Sequence, residues 1–200
     1  MIETRTFGDI VRIRMSRELG GTPLFWVAAY LVDGLLIDTG CSYTAEELVS
    51  SLEKDPPRLA VNTHYHEDHI GANRLLQERF GIPIYAHPDS IPLISREAEL
   101  FPYQEVVWGY PEPTEVFPIP PLIRTERFSF DVIETPGHSA GHVVLVEPSR
   151  GWCFCGDMFA GEAVKVIRPE EDMGETVASL KGLAQMDVER LTLFTAAGGV

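Results

Sequence analysis

Hydrophobic positions along this chain follow two spacings, and the changes between them mark out its elements. Residues 9–15, 24–32 and 35–38 are rich in β-branched, aromatic and aliphatic side chains and predict strands. Gly20-Gly21 and Asp33-Gly34 break these runs, and Asp-Gly between apolar segments predicts a tight hairpin. Over residues 42–54 the spacing turns helical, with Leu48, Val49 and Leu52 on one side and Pro56-Pro57 as the stop. A short buried strand at 59–62 follows, then a helix over 70–80 that ends at Gly81, then a strand at 82–86.

From Pro88 to Arg127 the alternation fails, because repeated prolines interrupt a stretch that also holds Phe101, Tyr103, Trp108, Tyr110 and Phe117. The pattern predicts a short helix at about 90–100 and then a long irregular loop. Such loops often act as lids or binding loops, which makes Phe101, Trp108 and Tyr110 candidates for a substrate lid; a plain surface wrap over the core is the competing reading. Strand spacing resumes at 128–134, 142–147, 152–155 and 191–194, with a last helix over 170–186. Helices set between groups of strands predict a layered α/β architecture, and residues 1–200 read as one domain without internal repeats.

Composition narrows the function. At 44% hydrophobic and 23% charged, the chain has the make-up of an ordinary soluble domain with one core. Thirty acidic against 16 basic residues give a net charge of −14, a field that repels polyanions and argues against nucleic acid as a partner. Arg12, Arg14 and Arg17 alternate with apolar residues as a solvated strand face would. The opening MIETRTFGDI has no apolar stretch after a basic head, so neither export signal nor membrane anchor is expected and the cytoplasm is the default compartment. Of three cysteines, Cys153 and Cys155 stand two apart in an apolar run, poorly placed for a bridge, so reduced and buried thiols are expected.

The chemistry concentrates in Thr63-His64-Tyr65-His66-Glu67-Asp68-His69-Ile70-Gly71-Ala72, directly after a predicted buried strand. Three imidazoles and a carboxylate within six residues are costly to crowd without a cation. In an extended segment His64 and His66 project to the same side, while Asp68 and His69 fall where the chain turns into the next helix. Two adjacent metal positions are therefore natural. Neutral imidazole and carboxylate suit zinc, and also iron or manganese.

His64-x-His66-x-Asp68-His69 resembles the signature of the metallo-β-lactamase superfamily. The resemblance extends to Leu31-Val32-Asp33-Gly34 and Leu36-Ile37-Asp38-Thr39-Gly40 upstream, to the stretch from Thr135 to His142, and to Gly156-Asp157 downstream. It implies a four-layer αβ/βα sandwich of two mixed β-sheets flanked by helices, with the metal site at one edge. It also implies a first metal held by His64, His66 and His138, a second held by Asp68 and His69, and Asp157 bridging both. Asp38 and His142 match positions that support such a site from outside; for His142, a core histidine satisfied by backbone is the plain alternative. His87 matches no ligand position and reads as structural, and Glu67, which alternates to the other side, reads as a surface residue.

One departure stands out. The family usually supplies a further histidine after the last strand, and here Ala197 occupies its place in Leu193-Phe194-Thr195-Ala196-Ala197-Gly198-Gly199-Val200. The second metal is therefore expected to be weaker. The helix that commonly follows is missing from the sequence, which suggests either a longer natural chain or closure by a partner, and leaves a homo-oligomer open.

The resemblance implies a hydrolase in which a cation-activated water, hydrogen-bonded to Asp68, attacks a carbonyl, with Asp68 orienting it and taking its proton. An ester or thioester of the glyoxalase II type is the leading small-molecule substrate. A β-lactam fits less well without an export signal. Alternatives within the superfamily are a phosphodiester or RNA hydrolase and a mononuclear iron sulfur dioxygenase. A non-catalytic metal-binding interaction domain is the alternative outside enzymes.

Overall fold

The computed structural model describes residues 1–159, 167–188 and 190–197. The chain opens with strands β1 (Ile2–Phe7) and β2 (Ile10–Met15), a small ribbon of β3 (Glu18–Leu19) and β4 (Thr22–Pro23), and then β5 (Val27–Val32) and β6 (Leu35–Ile37). A 3-10 turn at Ser42–Thr44 leads into helix α1 (Ala45–Leu52), followed by β7 (Leu59–Val61), α2 (Asn73–Phe80) and β8 (Ile84–Ala86). Two short helices, α3 (Ile91–Ile94) and α4 (Pro102–Val107), precede β9 (Phe117–Pro118) and β10 (Leu122–Arg124). The rest is β11 (Ser129–Glu134), β12 (Val143–Glu147), β13 (Trp152–Gly156), α5 (Met173–Ala184) and β14 (Thr192–Thr195).

These strands form two mixed sheets. The first runs β1-β2-β5-β6-β7-β8-β9, antiparallel up to β6 and parallel beyond it. The second runs β10-β11-β12-β13-β14, with only the β13/β14 pair parallel. Strand periodicity divides the apolar residues among three layers of packing. From β5, Ala28, Tyr30 and Val32 enter the core between the sheets, while Val27, Ala29 and Leu31 face the other way. From β12, Val143 and Leu145 join Phe130, Phe154 and Phe194 between the sheets, and Val144 and Val146 pack with Leu183 of α5. On the outer face of the first sheet lie Leu48 and Leu52 of α1 and Leu76 of α2. The layering is thus helix, sheet, sheet, helix, as the resemblance implies. Each fully buried Phe contributes about 2 kcal/mol over an exposed one, and Phe154 stacks on Phe194 at 4.9 Å between ring centres.

Local signals explain the turns that position the site. Asp33 and Gly34 both take positive φ, 48° and 80°, as a tight hairpin between β5 and β6 requires. Asp33 then accepts from the Arg127 backbone N at 2.7 Å and side chain at 3.1 Å, which ties the hairpin to the turn before β11. Gly81 caps α2 at φ 65°, and Asp172 Oδ1 accepts from Gly174 N and Glu175 N, which starts α5 at Met173 rather than at Glu170.

Several features differ from the sequence-based expectation, among them β9 and β10, which form inside the expected irregular loop. β1 was not expected, because its alternating Glu3, Arg5 and Phe7 leave a mostly exposed edge strand with little apolar signal. The helix expected at 90–100 stops at Ile94, whose carbonyl accepts from Thr114 N at 3.1 Å, while Ser95 Oγ donates to the Thr114 carbonyl. Within the expected irregular loop α4 forms, because Pro102 is preset for the first helical turn and Gln104 Oε1 accepts from Phe101 N at 2.7 Å. All three cysteines are buried and free, as expected. Among the described residues no helix is long and apolar enough to cross a membrane.

Candidate metal centre

Five of the six histidines meet where β7 of the first sheet and the β11–β12 turn of the second come together. His64 Nε2 lies 2.9 Å from His66 Nδ1, and His138 Nε2 lies 3.0 Å from the same atom. Three ring nitrogens therefore face one point. His64, His69 and Asp157 form a second, overlapping group of the same kind, with candidate donor atoms within 4.8 Å of one another. Asp157 bridges the two groups: its Oδ1 is 3.6 Å from His69 Nε2 and its Oδ2 is 3.5 Å from His138 Nε2. Asp68 stands farther out, with Oδ2 at 3.8 Å from His69 Nε2 and Oδ1 buried without a hydrogen bond.

The backbone that delivers these groups is held by a buried polar lattice. Asp38 sits just past β6 at φ 59°, a conformation costly for most residues and tolerated by Asp. From there its carboxylate accepts from Thr63 N at 2.8 Å, from Thr63 Oγ1, and from His69 Nδ1 at 2.8 Å. Asn62 Nδ2 and Thr39 N donate to the His69 carbonyl, and Asn73 joins Asn62 to Thr39. Gly71 packs so tightly on Cys41 that a Cβ would lie 2.3 Å from its carbonyl carbon. His138 rides on a turn docked against α5: Gly137 O accepts from Asp172 N at 2.7 Å, and Pro136 O accepts from Ser179 Oγ. His142 is fully buried, with Nδ1 at 2.8 Å from Thr135 Oγ1, so a side chain rather than backbone partners that nitrogen, while Nε2 is buried without a hydrogen bond.

Electrostatics follow from burial and crowding. Burial, reinforced by neighbouring imidazoles, lowers His64 and His142 well below the usual range, and burial pushes His66 down to about 3 and His138 to about 4. These rings are neutral near pH 7 and offer lone pairs. His69 goes the other way: burial opposes protonation, but Asp38, Asp68 and Asp157 together raise it. Burial also raises Asp68, whereas Asp157 is held low by His69 and His138 against the pull of burial. Facing lone pairs at 2.9–3.0 Å repel unless a proton or cation sits among them, and imidazole with carboxylate is the donor set of zinc, iron or manganese. The residues present fit a divalent metal.

Several residues at the site escaped the sequence reading. Glu67 is only 3% exposed rather than on the surface. It accepts from Gln104 Nε2 at 2.8 Å and lies 3.6 Å from Arg168 Nη2, so an anchored ion pair replaces the expected solvent. Glu170 Oε1 is 3.4 Å from His66 Nε2 and Glu171 Oε1 is 3.2 Å from His138 Nδ1. Contact with His66 brings the Glu170 carboxyl down to about 2. Nothing in the local pattern around Arg168 to Glu171 announces these contacts, all of which are long-range in the chain.

The candidate lid residues separate. A cavity of about 280 Å³ opens beside His66, lined by Tyr65, Ile70, Leu93, Phe101, Arg96 and Arg168 among others. Phe101 belongs to it. Trp108 does not; it is 8% exposed and packs into the core under the first sheet, with Phe25 against its ring at 6.2 Å. Tyr110 is 51% exposed and outside the cavity wall. His87 stays apart from the cluster, 3.4 Å from Glu134. Ala197 follows Ala196, whose N donates to Gly156 O, while Gly198 to Val200 lie outside the described residues.

A two-sheet αβ/βα sandwich with a histidine and aspartate cluster at its edge defines a class of metal-binding proteins. The chain belongs to the metallo-beta-lactamase superfamily, whose family model matches residues 26–193. It is 27% identical to the hydroxyacylglutathione hydrolase GloC of Haemophilus influenzae over 155 residues, 73% of this chain and 71% of that protein. It is 31% identical to the hydroxyacylglutathione hydrolase of Thermosynechococcus vestitus and 33% identical to the probable metallo-hydrolase YybB of Bacillus subtilis. Those matches cover 66% and 64% of this chain, and 46% and 57% of the relatives, so the chain spans about half the length of both. Among solved structures, a metallo-beta-lactamase from Pontibacter korlensis superposes with a TM-score of 0.78 at 19% identity, covering 100% of this chain and 92% of that one. TTHA1623 in a di-iron-bound form gives 0.69 at 27% identity, covering 98% and 92%. Superfamily membership and the histidine-aspartate cluster together imply a divalent metal.

Proposed function

We propose that this chain is a metal-dependent hydrolase that cleaves an ester, thioester or related acyl bond of a small molecule. The observation that carries the proposal is the convergence of His64 Nε2, His66 Nδ1 and His138 Nε2 on one point, with Asp157 alongside. In this reading His64, His66 and His138 would hold a first metal, Asp68 and His69 a second, and Asp157 would serve both. A divalent ion there supplies Lewis acidity, which activates water and polarises a carbonyl. Asp68, with Oδ1 buried and free of hydrogen bonds, orients the attacking water and accepts its proton. Asp38 fixes the ring of His69 through Nδ1, leaving Nε2 to face Asp157 and Asp68. The cavity beside His66 receives the acyl or leaving group against Phe101, Leu93 and Ile70. Two named relatives act on hydroxyacylglutathione, which supports a thioester as the first substrate to try.

Elemental analysis of the purified protein tests the proposal, with iron and manganese measured beside zinc because TTHA1623 was solved di-iron-bound. His64→Ala and His138→Ala are expected to empty the site and abolish thioester hydrolysis, whereas His87→Ala leaves both intact. Full metal content after both ligand changes would overturn the assignment.

A further inference from the structure

We infer, on the metal-centre reading above, that Glu170 and Glu171 are positioning residues that fix the ring tautomers of His66 and His138. A neutral imidazole carries one ring proton, so a nitrogen that offers its lone pair inward forces that proton onto the outward nitrogen. The three inward nitrogens are His64 Nε2, His66 Nδ1 and His138 Nε2. Each outward one faces an oxygen. Thr63 Oγ1 lies 3.1 Å from His64 Nδ1, Glu170 Oε1 lies 3.4 Å from His66 Nε2, and Glu171 Oε1 lies 3.2 Å from His138 Nδ1. His66 Nε2 is buried and has no hydrogen bond, so the carboxylate facing it is its acceptor when the ring carries the Nε2 proton. Carboxylates in this role orient the ring and raise the basicity of the donor nitrogen.

The segment that carries both carboxylates is closed by an internal turn and held from outside at two points. Glu171 N donates to Arg168 O, Asp172 N donates to Gly137 O in the turn that bears His138, and the Arg168 guanidinium lies 3.6 Å from Glu67 and 4.0 Å from Glu170. Glu67 in turn sits between His66 and Asp68 in the chain. The two acceptors and the two rings they serve are thereby parts of one braced unit.

The test measures zinc affinity by chelator competition for the wild type, Glu170→Ala, Glu171→Ala, the matching Gln variants, and Glu175→Ala as an exposed control on α5. Ring-nitrogen NMR of the zinc-loaded wild type reads the tautomers directly. We expect each Ala variant to weaken zinc by about 10- to 100-fold, Gln to restore part of the loss through its amide oxygen, and Glu175→Ala to change nothing. We expect the proton on Nε2 of His66 and on Nδ1 of His138. Zinc held within twofold of wild type by both Ala variants overturns the inference while the metal-centre reading stands, and the opposite tautomers in the wild type overturn both, because they turn a ring proton towards the point where the lone pairs converge. A wild type that takes up no metal overturns both. If the Ala variants do not fold, the Gln variants decide: weaker zinc in both supports the inference, and zinc within twofold of wild type in both overturns it.

Discussion

Gln104 Nε2 donates a 2.8 Å hydrogen bond to Glu67 Oε1, and this bond fastens α4 to the histidine loop. It joins residues 37 positions apart, and both side chains are buried. One carboxylate thus braces the loop that carries His64, His66 and His69 and also anchors the wall that carries Phe101.

Replacing Glu67 by alanine strands the Gln104 amide and removes an acceptor from Arg168. Loss of a hydrogen bond to a charged group costs about 2 kcal/mol, which in a domain of this size lowers Tm by roughly 4–8 °C. A thermal melt checks this, and an unchanged Tm would show that the bond is dispensable.

Asp38 combines a left-handed backbone with three acceptor contacts, so its two roles can be separated. Asn tolerates the same φ and keeps one acceptor oxygen, whereas Ala loses both. Asp38→Ala is expected to weaken metal binding by about 10- to 100-fold and Asp38→Asn by less. Equal affinities in a chelator titration would remove Asp38 from the site's support.

Gly137 approaches α5 so closely that a Cβ would meet Thr176 N at 2.3 Å, and its φ is 133°. Gly137→Ala should cost about 2 kcal/mol through overpacking and displace the turn that bears His138. Denaturant unfolding together with metal content reads both effects. Wild-type values in both would mean that the turn moves freely away from α5.

The aromatic residues of the 101–110 stretch should behave differently from one another. Phe101→Ala is expected to raise KM more than it lowers kcat, as loss of a substrate contact does. Tyr110→Ala should leave both constants unchanged. Trp108→Ala should instead destabilise the fold by about 3 kcal/mol. Equal kinetic effects of Phe101→Ala and Tyr110→Ala would place the substrate outside the cavity beside His66.

Metal titration into stripped protein should show two unequal steps, because Asp68, His69 and Asp157 offer the second position fewer donors than the first enjoys. Ala197 follows Ala196, whose N donates to the carbonyl of Gly156, the residue before Asp157. Ala197→His is expected to strengthen only the weaker step. Two equally tight steps in the wild type would show that another group completes the second position.

The sequence alone determined the features that local chemistry controls. Asp33-Gly34 dictated the hairpin because few other residues accept positive φ twice in succession, and the apolar runs of β5 and β12 announced strands. The crowding of His64, His66, Asp68 and His69 in one short loop announced a cation site without any distant partner. His138 and Asp157 were legible only through resemblance; tertiary structure brought their side chains within 3.5 Å of each other by pairing β11, β12 and β13. The same packing decided what local pattern could not. Glu67 is buried because Gln104 and Arg168 come from elsewhere to pair it, and Trp108 is core because Phe25 and the first sheet cover it. Glu170 and Glu171 reach the histidines because the α5 entry docks on Gly137. Periodicity records which face of an element is apolar, but the partner that covers that face, or neutralises a charge on it, is chosen by long-range packing.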